Sequence, residues 1–208
     1  MGNWIKSEWN SHYQLLFYNG SEAPIAALLL KFGIKEADLA NGRALHQALE
    51  DAQFEHGNAQ LATQTAQDSL DQQRATAQAA LVQARGLARA LTVGNPVLQR
   101  QLHLSGRIPR SLPAWLHMAE GFYAALAEHP ALWQQVQEAL PHVEGLPSVA
   151  ALRERARKLE TAQHEQREAS QLHAQASVAI RTCYQFTAGL ARLALKNHPA
   201  YLTAVGLK

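Results

Sequence analysis

Gly86-Leu87-Ala88-Arg89, followed by Asn95-Pro96-Val97-Leu98 and Leu104, returns later in the chain as Gly189-Leu190-Ala191-Arg192, followed by His198-Pro199-Ala200-Tyr201 and Leu207. Every matched pair lies 103 positions apart. Upstream of the first quartet, a spacing of three and four residues selects Leu49, Ala52, His56, Ala59, Thr63, Ala66, Leu70, Gln73, Ala77, Ala80, Ala84, Leu87 and Leu91. Shifted by the same offset, the row becomes Leu152, Arg155, Leu159, Ala162, Gln166, Ala169, His173, Ala176, Ile180, Cys183, Thr187, Leu190 and Ala194. Most members of both rows are small or apolar. Two rows of this length in one phase point to an internal duplication.

A 3,4 spacing held over many heptads is the signature of a coiled-coil seam. No proline interrupts residues 38–93 or 148–197, so each stretch is expected to form one helix of roughly 70–80 Å at 1.5 Å per residue. Gly57-Asn58 is the weak point of the first. A mid-helix glycine costs about 1 kcal/mol, which permits a kink or a break without requiring one. The polar seam members Gln73, Gln166, Thr63 and Thr187 weaken the seam and can set its register. Each long helix should stop at an X-Pro, because proline disfavours helical geometry in the residue before it and can itself start a helix. Short helices are therefore expected after Pro96 and Pro199. Arg85, Arg89, Arg192 and Lys196 sit near the long helices' C-termini, where cations suit the dipole.

An aromatic segment precedes each long helix. Residues 13–33 carry Phe17, Tyr18 and Pro24, and residues 114–140 carry Phe122, Tyr123 and Pro130. Trp4, Trp9, Trp115 and Trp133 lie in or before these segments, so an aromatic core is expected at the ends of the alanine-rich seam. Residues 105–113, Ser-Gly-Arg-Ile-Pro-Arg-Ser-Leu-Pro, have linker composition. The expected fold is all-α: a tandem-duplicated, pseudo-twofold bundle with two long antiparallel coiled-coil-like helices and short aromatic end helices. Its parts are a first repeat over 1–104, a linker over 105–113 and a second repeat over 114–208, the two repeats packing as one domain.

The order of an entry helix, Gly33-Ile34-Lys35-Glu36-Ala37-Asp38, a long Ala/Gln helix, Gly86-Leu87-Ala88-Arg89, Asn95-Pro96 and Leu104 resembles an uncharacterised all-helical bacterial module found in planctomycete and verrucomicrobial proteins. The likeness covers about residues 13–104, and the second unit repeats it more loosely. The family often has Thr as helix N-cap where Lys35 stands, and often continues into a proline-rich tail and a β-domain. The resemblance implies a helical fold and supplies no activity.

Composition bounds the function. Hydrophobic residues make up 47% and charged residues 17%, with a net charge of +2. A chain so composed buries a core, and a charge so small gives no reason to expect a nucleic-acid or an anionic-membrane partner. The single Cys183 excludes a disulfide framework. The first residues lack a basic region followed by an apolar run, so no signal peptide is expected, and a cytoplasmic location is. The longest apolar stretch, residues 24–30, is too short to span a bilayer.

Motifs that carry chemistry are missing from the sequence. No histidine has a glutamate three residues before it, as di-iron bundles require. His-Glu-x-x-His, nucleotide-binding glycine loops and Gly-x-Ser-x-Gly are also absent. His56 and His173 fall on the seam, where a metal site or pH switch competes with the preferred reading of a half-exposed polar layer. Glu160 and His164 pair at helical spacing. Cys183 reads as a buried, inert thiol. Arg153, Arg155, Arg157 and Lys158 form the densest basic run, and the interleaved Glu154 and Glu160 favour a solvated face. No catalytic, cofactor-binding or metal residue is assigned, and no cofactor. The expected function is non-enzymatic: a structural or protein-interaction protein (scaffold, adaptor or assembly) that binds a protein partner or itself. The alternative is a soluble helical bundle that binds lipid or membranes.

Overall fold

In a computed structural model, the backbone is described for residues 2–207 and side chains for residues 10–207. Trp4 and Trp9 therefore lie outside the described side chains. Among the described residues the regular elements are helices: α1 Gly2–Asn19, α2 Ala23–Lys31, α3 Glu36–Leu91, α4 Pro96–Gln101, α5 Leu112–Ala127, α6 Pro130–Ala139, α7 Leu146–Ala194 and α8 Pro199–Ala204. The fold is an all-α bundle. α3 passes through Gly57-Asn58 without a break, since one glycine's cost is small against the 55 other residues that sustain the helix.

Proline sets the starts. Pro24 stands within the first turn of α2, and α4, α6 and α8 begin on Pro96, Pro130 and Pro199. Asn95 caps α4, its Oδ1 accepting from the Leu98 N–H at 3.1 Å. At the start of α3, the Asp38 carboxylate takes the Lys35 backbone N–H at 2.8 Å. This supplies half of a capping box without a Ser or Thr at the cap. Three short helices end alike. The N–H of Ile34, Leu104 and Leu207 bonds back to the carbonyl of Leu29, Gln99 and Leu202, and each closing side chain is buried. The residue before it is left-handed: Gly33, His103 (φ 50°) and Gly206.

The chain forms two compact units. Unit 1 comprises residues 1–60 and 165–208, and unit 2 comprises residues 61–164. Each takes one half of α3 and the opposite half of α7, so the units do not follow the order of the sequence repeats.

In unit 1, Tyr13, Leu16 and Phe17 of α1 and Ile25 and Leu29 of α2 pack with Leu39 and Leu49 of α3 and with Ile180, Tyr184, Ala188, Ala191 and Leu195 from α7 and its end. Phe17 seats directly on Gly42, where a β-carbon would come within 2.2 Å of the ring. Arg43, one residue on, donates to the Phe17 carbonyl at 2.9 Å and pairs with Glu36. Tyr18, expected in the aromatic core, is 48% exposed; Tyr13 takes the inner position.

In unit 2 the core is Leu70, Ala77, Leu81, Ala84 and Ala88 of α3 against Trp115, Phe122, Tyr123 and Leu126 of α5, with Val136, Val149, Leu152 and Leu159. Thr63 Oγ1 donates to the Ala162 carbonyl at 3.0 Å, and Arg155 donates to Ser69 Oγ. Numbers rise along α3 as they fall along α7, so the two helices run antiparallel in this unit.

Burial follows the expected rows closely, and one position departs. Leu91 is 44% exposed. α3 ends there, and Thr92 turns inward instead, its hydroxyl donating to the Ala88 carbonyl at 2.7 Å.

Two outcomes test this packing. Gly42→Ala should destabilise the protein by about 1–3 kcal/mol, since Phe17 is fully enclosed and cannot retreat; thermal or urea unfolding measures it. Burial with no hydrogen-bond partner pushes the Tyr123 phenol up to about 12. The native state holds the proton more tightly than the unfolded chain, so this contribution is intact below pH 10 and is lost as pH rises towards 12. In an alkaline titration, Tyr123→Phe should remove the last phenolate absorbance step and leave neutral-pH stability unchanged or slightly raised.

Candidate functional site

Buried polar side chains are where a helical bundle departs from packing alone. In unit 1, His46 is 1% exposed on the core face of α3. Neither ring nitrogen has a hydrogen-bond partner, and the Glu50 carboxylate stands 3.8 Å from Nε2, too long for one. The ring meets Tyr13 and Tyr18 edge-on at 6.2 and 6.4 Å. Tyr13 in turn lies edge-on to Tyr184 at 5.1 Å. Burial raises the Tyr13 phenol, and Arg181, through charge and a hydrogen bond, opposes the rise. The cluster joins three helices through ring contacts, and its histidine is sealed from solvent.

The seam histidines meet each other. His56 and His173 lie edge-on at 5.7 Å, both half-buried, and His56 Nδ1 has no partner. Among the described residues no group of three His, Cys, Asp or Glu side chains is placed to hold a metal ion. Glu160 and His164 are exposed. Cys183 is half-buried; burial pushes its thiol up, against a hydrogen bond with Thr187. In the basic run on α7, Arg153, Arg157 and Lys158 are exposed, Arg153 pairing with Glu120 at 2.7 Å, and Arg155 is half-buried and bonds Ser69.

Two surface features escaped the motif search. The first is the outer face of α7 in unit 1, where Leu172, Val178, Phe186 and Leu193 are 60–71% exposed. Leu172, Ala179, Phe186 and Leu193 recur every seven residues, with Val178 in the adjoining column. The sequence signal was present, but the stronger stripe through Ile180 and Thr187 masked it. No acidic residue occurs in 169–208, and Arg192 and Lys196 stand near the C-terminal end of α7.

The second is a cleft in unit 2 of about 380 Å³. It is lined by Arg89 at the end of α3, by Gln99 and Arg100 of α4, and by Ser105 and Gly106 beyond it. A count of net charge over the whole chain conceals the segregation behind it. Residues 72–119 hold six arginines and no carboxylate.

Among the described residues no helix is long and apolar enough to cross a membrane.

His46 carries a testable cost. Replacing the ring with a similar-sized apolar side chain, His46→Leu, removes two buried unpaired nitrogens. Stability should rise by about 1–3 kcal/mol, read by urea unfolding; a loss would mean that the nitrogens are satisfied in solution.

No protein-family model, curated protein or solved structure matches the chain.

Proposed function

We propose that the chain is a non-enzymatic assembly protein, built from a duplicated helical unit, whose working surface is the outer face of α7 in unit 1. The observation that carries this reading is the group Leu172, Val178, Phe186 and Leu193, exposed together on one helix face. Single apolar side chains on a surface need no explanation, whereas several large ones that recur along one helix call for a partner. Heptad spacing fits a second helix laid along it.

The partner that fits is a second copy of the same face. Glu165 and Glu168 precede the row, and Arg192 and Lys196 end it. Antiparallel pairing sets acid against base at both ends; parallel pairing sets like against like. Such an isologous contact closes on itself as a dimer.

The acid-free, cationic segment also supports a second reading, in which this face lies on an anionic lipid surface.

Size exclusion with light scattering should show a monomer–dimer equilibrium at micromolar concentration, weakened by salt. Phe186→Glu should yield the monomer with helix content and melting unchanged, since the side chain is 71% exposed. A wild-type chain that stays monomeric well above that range defeats the assembly reading. Flotation with anionic but not neutral vesicles would transfer the same face to the lipid reading.

A further inference from the structure

We infer that the arginine-lined cleft of unit 2 is a binding site for the phosphate group of a small molecule. It shares no residue with the α7 face and stands independently of the assembly reading.

Two arginines line the cleft and a third is buried behind them. Arg85 and Arg89 lie one turn apart at the end of α3. Their guanidinium groups donate to successive carbonyls, Arg85 to His103 at 2.9 Å and Arg89 to Leu104 at 2.6 Å. These bonds fix both side chains against the turn that closes α4. Arg100 enters from α4 itself and is held by a bond from Nε to the Pro96 carbonyl at 3.3 Å. Arg89 and Arg100 line the cleft with Ser105 and Gly106. Arg85 stands behind, 5% exposed, with its Nε unpartnered.

No acid balances this charge from the cleft's own surroundings. The lining contains no carboxylate. Along the chain the flanking acids are Asp71 and Glu120, and Glu120 pairs with Arg153. Burial and the neighbouring Arg89 charge both act against the protonated form of Arg85. An anion in the cleft would relieve that repulsion.

The ligand class follows from charge and shape. Two lining guanidinium groups match the charge of about −2 on a phosphate monoester better than the single charge of a carboxylate. Planar, forked donors suit its tetrahedral oxygens. The Ser105 hydroxyl and the Gly106 N–H, in a left-handed turn at φ 93°, supply further donors beside them. The volume admits a phosphate with a small attached group.

Calorimetry on the full chain at constant ionic strength tests the site with inorganic phosphate, glycerol phosphate and acetate as probes. Saturable 1:1 binding of both phosphates is expected, with acetate at least tenfold weaker. Arg100→Gln should weaken phosphate binding at least tenfold, and Arg100→Glu should abolish it. Both changes fall on an exposed side chain and should leave melting unchanged. Arg89→Lys keeps a cation but loses the fork, and should weaken binding while the fold persists. Absence of saturable phosphate binding, equal binding of acetate, or binding indifferent to Arg100→Glu would each overturn the assignment.

Discussion

The structure depends on a mutual need between two helices that are poor at burying surface alone. On the long helices many buried side chains are small, Ala77, Ala80, Ala84 and Ala88 on α3 and Ala188, Ala191 and Ala194 on α7, beside larger ones such as Leu70, Leu81, Leu152 and Ile180. Alanine permits close approach of backbones but removes little apolar area from water. The missing area comes from the end helices. Phe17 drops onto the gap left by Gly42, and Trp115 and Phe122 fill the matching place in unit 2. Each core is thus assembled from small seam residues and large anchors that lie far apart in sequence. In unit 1 the anchors of α1 meet Tyr184 and Ala188 across the whole of unit 2's sequence. Closing so long a loop costs entropy before any contact repays it. Folding of unit 1 therefore waits on long-range pairing more than that of unit 2, whose residues are contiguous.

Much of this was legible as periodicity. The rows through Leu70, Ala77 and Ala84, and through Ile180 and Thr187, predicted burial because heptad spacing constrains which residues can face a partner. The same periodicity hid a detail. From Thr63 onward buried positions in the two long helices match at 103 residues, as the sequence reading has it. Nearer the helix starts Leu39, His46 and Leu49 correspond to Val149, Ala156 and Leu159, 110 residues apart. α3 has 56 residues and α7 has 49, a difference of one heptad. A shift by a heptad returns seam to seam, so hydrophobic pattern alone cannot detect it.

Other features were illegible for a different reason. His46 reads as polar in a sequence and so gives no sign of a core position; only the rings of Tyr13 and Tyr18 around it reveal one. The widening of the buried face at Leu81, Arg85, Tyr184 and Ala188 depends on where α4, α5 and α1 pack, which is a tertiary fact. The arginine cleft was obscured by averaging. A net charge of +2 is the sum of acid-free and acid-rich segments, and a site senses its own surroundings.

Positions 103 residues apart in the two long helices carry different surfaces. Leu172, Val178, Phe186 and Leu193 correspond, 103 residues earlier, to Ser69, Ala75, Gln83 and Ala90. In unit 2 two of these are used internally: Ser69 receives a bond from Arg155, and Gln83 is bonded to His142 at 2.7 Å. The positions that carry small or polar side chains in unit 2 carry large apolar ones in unit 1. The converse holds at the helix ends. Arg100 of unit 2 stands where unit 1 has Thr203, although α4 and α8 close with the same turn. A fold that needs only its seam and its anchors leaves these outward positions free to vary. The residues that differ there are therefore the ones on which function can act without disturbing the core.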